Sequence, residues 1–151
     1  MLSSAETYLM KIWEVLRGKD AAVPAVPISV SDVSMTKHVT YTVIIANGQA
    51  ESDVIDISHF VGDAGVITIP SAWTAASIGF KVSATSTGTY SALRDEFGNI
   101  VQVTGIQTAA AGVYKLPDAL RGVLYLKLWS HNAGVSANQG ADRVITLSVK
   151  G

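Results

Sequence analysis

The chain has 151 residues, a net charge of -1 and no cysteine, with 15% of its residues charged and 48% hydrophobic. One domain with its own core fits this length. The missing cysteines exclude disulfides, thiolate metal sites and a cysteine nucleophile, and the balanced, sparse charge excludes the basic field that nucleic acid requires. Low charge with abundant Ala, Gly, Ser, Thr and Val suits a protein that covers much of its surface with partners. No apolar run is long enough to span a bilayer, so no membrane association is expected. The opening "MLSSAETYLMKIWEVLRGKD" does not read as a signal peptide, because Glu6 precedes the first lysine and polar residues break any apolar core. The mature chain is therefore expected to begin at Met1.

Residues 1–20 read as an amphipathic helix. Ser3 and Glu6 form a capping-box pattern, Leu9, Ile12, Trp13 and Leu16 share one face, and Gly18 with Lys19 supplies a stop. So short a helix is marginal alone, and its stripe packs either on the chain's own core or on another subunit. Residues 21–37 follow as an extended arm or linker, in which Pro24 and Pro27 prevent helix.

Residues 38–151 carry one strand signal after another. "HVTYTVIIANG", "SDVIDIS", "GVITIP", "SIGFKVSAT", "NIVQVTG", "AGVYKL", "VLYLKLWS" and "DRVITLSVK" all alternate and are rich in Val, Ile and Thr. Short turns separate them, without helical crossovers, which predicts an all-β antiparallel sandwich, jelly-roll-like, with "LPDALRG" adding a single helical turn. In "VLYLKLWS" the alternation places Leu124, Leu126 and Leu128 on the core face and Tyr125, Lys127 and Trp129 on the other. That second face reads either as a binding platform or as a surface partly buried under a loop or a neighbouring subunit.

Catalytic signals are weak. His38, His59 and His131 are isolated in sequence, with no H-x-x-x-H spacing, no G-x-S-x-G elbow accompanies the many hydroxyls, and no glycine pattern forms a phosphate cradle. In "YSALRDEFGNIVQV", Asp95, Glu96 and Asn99 surround Gly98 as a metal loop would, yet the ligand count stops there. Adjacent strand carboxylates point to opposite faces, so a catalytic pair is also disfavoured. A hairpin accounts for the segment, with "SALR" entering, "DEFGN" turning and "IVQV" returning. No enzyme activity and no cofactor or metal are expected.

From Ala46 to Gly151 the order of three motifs resembles a β-sandwich module of tailed-bacteriophage structural proteins. They are "P-x-x-W-T-x-A" (Pro70, Trp73, Thr74, Ala76), "D-x-x-G-N" (Asp95, Gly98, Asn99) and "N-Q-G-A-D-R" (Asn138 to Arg143). The resemblance implies a non-enzymatic virion protein, either head decoration or a neck or tail-fibre module, symmetric and oligomeric. Decoration is the favoured role, as a trimer on the particle exterior that contacts the major capsid protein and is made in the host cytoplasm. Under it Leu9, Ile12, Trp13 and Leu16 are the expected partner or oligomer contacts. The alternative is a carbohydrate-binding or adhesin module, in which Trp73, Tyr90, Tyr125 or Trp129 stacks on a surface glycan.

Overall fold

The computed structural model describes residues 38–59, 64–109 and 111–150. The chain divides into two units, Met1–Ser34 and Met35–Gly151, and the described residues all belong to the second. The expected helix over 1–20, the arm over 21–37 and the contact residues Leu9, Ile12, Trp13 and Leu16 lie outside them.

The described unit is an all-β antiparallel sandwich. Its strands are β1 (His38–Ile45), β2 (Ile55–Asp56), β3 (Ala64–Ile69), β4 (Ser77–Ser83), β5 (Ser91–Ala92), β6 (Gln102–Val103), β7 (Gly112–Lys115), β8 (Tyr125–Asn132), β9 (Val135–Ser136) and β10 (Arg143–Lys150). A four-residue helix, α1 (Ile106–Ala109), precedes β7, and a 3-10 turn spans Asp118–Leu120, within the "LPDALRG" segment expected to hold one turn. One sheet runs β1-β10-β3-β7; the other runs β2-β8-β4-β5, with β6 also on β4 and β9 also on β8. Every pairing is antiparallel, and β1 and β10 stay in register over their whole length, from His38 opposite Lys150 to Ile45 opposite Arg143.

Alternation explains which residues meet. Ile45, Ile67, Ile69, Ile145, Leu147 and Val149 project inward from the first sheet, and Ile55, Ile78, Phe80, Leu126 and Leu128 from the second, into one shared cluster. Phe80 is completely buried there, and removing a ring of that size from a packed core costs about 3–5 kcal/mol. Leu126 and Leu128 occupy the core face as expected, but Leu124 precedes the strand and is 41% exposed. The "SDVIDIS", "SALR" and "NIVQV" signals shrink to strands of two residues each. Alternation registers a face but not the length over which a neighbouring strand is present.

Candidate functional site

The outer face of the β8 sheet gathers the polar and aromatic side chains that sequence alternation sets apart from the core. β4 and β8 place Lys81 opposite Lys127 and Gly79 opposite Trp129, while β2 sets Asp56 opposite Tyr125 and an isolated bridge sets Glu51 opposite Trp129. Tyr90 leads into β5 at the other side. Two facing ammonium groups repel unless a counter-charge lies between them, and Glu51 provides it: its carboxylate binds Lys81 through one oxygen and lies 3.9 Å from Lys127 through the other.

The aromatic rings complete that arrangement. Lys81 Nζ lies 4.8 Å from the Trp129 ring centroid and Lys127 Nζ 5.0 Å from that of Tyr90, both within cation–π range. Trp129 stacks on His131 at 4.2 Å, and its indole N–H donates to the Ser136 hydroxyl at 3.0 Å. Gly79 makes room for this stack, because a Cβ there would come within 2.7 Å of His131 Nε2 and 3.1 Å of Trp129 Cε3. The Tyr90 hydroxyl is held above its usual pKa, first by burial and then by the charges of Tyr125 and Asp56.

Two of the four aromatics expected at a surface site are not available for stacking on a ligand. Trp73 is 7% exposed and belongs to the core cluster, with its indole N–H donating to the Ala76 carbonyl at 3.0 Å. Trp129 does sit on the outer face, yet only 5% of it is exposed, because the aliphatic and ammonium parts of Lys81, the His131 ring and the β9 hairpin cover it. Tyr90 and Tyr125 remain half-buried on that face, so the structure brings together Tyr90, Tyr125 and Trp129 and leaves Trp73 apart.

The histidines also separate. His38 opens β1 and is exposed, as is His59, whereas His131 in β8 is fully buried. Its Nδ1 accepts the Gly134 N–H at 3.1 Å, which puts the ring proton on Nε2, and Nε2 has no hydrogen-bond partner among the described residues. Burial depresses its pKa below 6.5. Among the described residues no three His, Asp or Glu side chains come together as a metal site.

The segment Tyr90–Val103 is a hairpin. The Asp95 N–H donates to the Asn99 carbonyl at 2.9 Å, the Gly98 N–H donates to the Asp95 carbonyl at 3.0 Å, and Arg94 bridges to Ile100 across it. Gly98 takes φ +86°, the left-handed conformation that makes a glycine useful here. Asp95 caps the loop from within: its carboxylate accepts from Phe97 N–H at 2.9 Å, Asn99 N–H at 2.8 Å and the Asn99 side chain at 3.0 Å. These bonds, the Asn99 side chain foremost, lower its pKa. A carboxylate so engaged is a turn element.

Sequence reasoning missed Gln139 as a structural centre. Its side-chain oxygen accepts the Thr74 N–H at 2.9 Å, and its amide nitrogen donates to the Thr74 carbonyl at 3.3 Å and the Ser130 hydroxyl at 2.8 Å. Its own backbone bonds Gly48 and Gln49 across the Asn47-Gly48 turn. Gly140 N–H adds a bond to the Thr74 hydroxyl at 3.2 Å. The "PSAWTAA" and "NQGADR" motifs are thus two sides of one junction around the buried Gln139 side chain, and their joint occurrence was the available signal.

No protein-family model matches the chain, and no curated protein matches it. Among solved structures, it is similar to the SPBc2 prophage-derived protein YomS of a Bacillus phage, with a TM-score of 0.48 and 12% sequence identity over 79% of this chain and 97% of that one.

Proposed function

We propose that the chain is a non-enzymatic structural component of a tailed-phage particle. The observation that carries this reading is that each of the phage-like motifs has a structural place: Trp73 fills the core, Thr74 and Gln139 lock together, and Asp95 with Gly98 shapes a hairpin. Acidic groups in these regions are used for architecture, Glu51 by two lysines and Asp95 by three N–H donors. The strand order β1-β10-β3-β7 against β2-β8-β4-β5, with the chain passing repeatedly between sheets, supports a jelly-roll reading.

Within that role we place the protein on the particle exterior as a decoration or cement protein, made in the host cytoplasm. It contacts the major capsid protein and assembles as a homo-oligomer, with a trimer favoured by analogy with small β-rich caps. Residues 2–27 anchor it, with Leu9, Ile12, Trp13 and Leu16 as the apolar contacts. Deleting residues 1–20 tests the assignment: particle binding is expected to fall sharply while the sandwich stays folded by circular dichroism. Undiminished binding with an unchanged oligomer would sink it.

A second reading, a neck- or fibre-associated adhesin that binds a surface glycan, is favoured by Tyr90 and Tyr125 beside Lys127 on the β8 sheet. Aromatic faces with an adjacent donor suit a sugar ring. Titration with host polysaccharides, with Tyr125→Ala as control, separates the two readings.

A further inference from the structure

We propose that copies of this chain join head to tail, with the Phe97 tip of the 95–99 hairpin on one copy seated in a groove across the four-stranded sheet of the next. This contact belongs to the homo-oligomer proposed above and rests on that part of the reading alone.

Phe97 is the protruding half. At 82% exposure it is the largest and most open of the exposed hydrophobic side chains among the described residues. A single exposed apolar residue is ordinary on a folded surface, but the setting of this one is not. The Asp95 carboxylate accepts the Phe97 N–H at 2.9 Å and the Asn99 N–H at 2.8 Å, and Arg94 donates to the Gly98 carbonyl at 2.6 Å. These bonds fix the backbone of the tip, and none of them involves the ring. A ring carried on a fixed backbone is pre-organised for a pocket elsewhere, because little freedom remains to be lost when it binds. Glu96, exposed beside it, gives the tip an acidic flank.

The receiving half is a groove of about 720 Å³ that takes residues from every strand of the first sheet: His38 of β1, Ser148, Val149 and Lys150 of β10, Val66 of β3 and Lys115 of β7. Val66, 40% exposed, lies between Ser148 on one neighbouring strand and Lys115 on the other, and Lys150 lies opposite His38. Directly opposed residues share a face, so these side chains stand on the outer surface of the sheet. The lysines add aliphatic stems to the apolar floor and hold their ammonium groups at the rim. Lys115 is also 3.2 Å from Asp118, an exposed pair that is exchanged at little cost.

The two halves match in chemistry. The ring meets an apolar floor, and Glu96 meets the Lys115 and Lys150 ammonium groups, a complementarity that fixes partner and orientation. One copy does not satisfy itself, since Phe97 stands open and its hairpin grows from β5 and β6 beside β4, in the opposite sheet. Two different patches meet, so the contact is heterologous, and its repetition closes a ring or extends a filament according to the rotation between copies.

Because the chain has no cysteine, cross-linking tests the contact in the full protein. The double variant Glu96→Cys/Val66→Cys places one thiol on the tip and one in the groove, and circular-dichroism melts check that each variant folds. Mild oxidation is expected to give covalent multimers from the double variant, little from Glu96→Cys or Val66→Cys alone, and at least a tenfold smaller yield once Phe97→Ser is added. No multimers from the double variant, or a yield that Phe97→Ser leaves unchanged, overturns the proposal. Multimers from either single variant point to a symmetric contact and overturn it as well. Alkylation of Val66→Cys that is equally slow with Phe97 and with Phe97→Ser gives the groove to another occupant, such as residues 1–37 or a different protein, with the same result. Light scattering separates this contact from the wider reading: a wild type of single-chain mass overturns both, whereas an oligomeric wild type without the cross-link overturns this contact alone.

Discussion

The side-chain amide of Gln139 grips both backbone groups of Thr74, accepting its N–H at 2.9 Å and donating to its carbonyl at 3.3 Å, across 65 residues of sequence. Gln139 is only 1% exposed, so the pairing substitutes for a strand partner at a place where no strand runs. Gln139→Ala leaves the buried Ser130 hydroxyl without its partner and takes the side-chain bonds from the part-buried Thr74 backbone groups. We expect a loss of about 1–3 kcal/mol, read from urea denaturation, the cost of one orphaned buried group. Gln139→Glu removes the donors while keeping the shape and is expected to be at least as damaging.

His131 makes stability depend on mild acid. Its folded pKa lies below 6.5 because burial disfavours the imidazolium. Between the folded and unfolded values the unfolded chain binds a proton that the folded one does not, so stability falls as pH drops below about 6.5 and is fully present above it. Protonation at Nδ1 also removes the acceptor for Gly134 N–H. Urea midpoints at pH 5 and pH 7.5 should differ, and His131→Phe should narrow that difference. An unchanged pH dependence in the variant contradicts the assignment.

The β8–β9 turn carries a correctable strain. Ala133 has φ +48° and Gly134 φ +84°, the paired left-handed geometry of a two-residue type I′ hairpin, which favours Asn-Gly. Ala133→Asn is expected to stabilise the protein by roughly 0.5–1 kcal/mol, visible as a raised thermal midpoint with unchanged tryptophan fluorescence.

Asp95 should matter locally and nowhere else. Asp95→Ala removes three N–H acceptor contacts at an exposed loop, so a small drop in thermal midpoint is expected, along with faster hydrogen exchange in the 95–99 loop. Its depressed pKa means that the carboxylate's contribution is present above pH 3.8 and is lost as pH falls through the lower folded value. Glu96→Ala should change less still. Neither variant should acquire or lose a divalent-cation response by calorimetry, and such a loss would restore the metal-loop reading of this segment.

Much of the fold is legible in the sequence because the strands that bury one face must alternate. "HVTYTVIIANG" and "DRVITLSVK" contain the whole of β1 and β10, and "DEFGN" turns where Asp and Gly permit it. The candidate site is legible in parity but not in exposure: alternation puts Trp129 on the outer face, yet nothing within "YLKLWS" reveals that Lys81 and Ser136 cover it. Trp73 lies outside any strand, so alternation does not apply to it, and its burial depends on what the 70–76 turn packs against. The Glu51 clasp on Lys81 and Lys127 joins residues up to 76 positions apart, a distance at which local pattern carries no information. The Gln139–Thr74 junction is hidden for the same reason.

His38 opposite Lys150 in the β1–β10 register means that the polypeptide arrives at the sandwich and departs from it at the same spot, with Cα atoms about 5 Å apart as for any antiparallel pair. A unit with its two portals side by side can be spliced into a surface loop of an unrelated host without stretching it, or recircularised with new ends elsewhere. Among the described residues, the exposed turn at Gly48 lies at the far pole, where a grafted peptide can be displayed. By the same geometry, excising residues 38–150 leaves a gap that a few linker residues close.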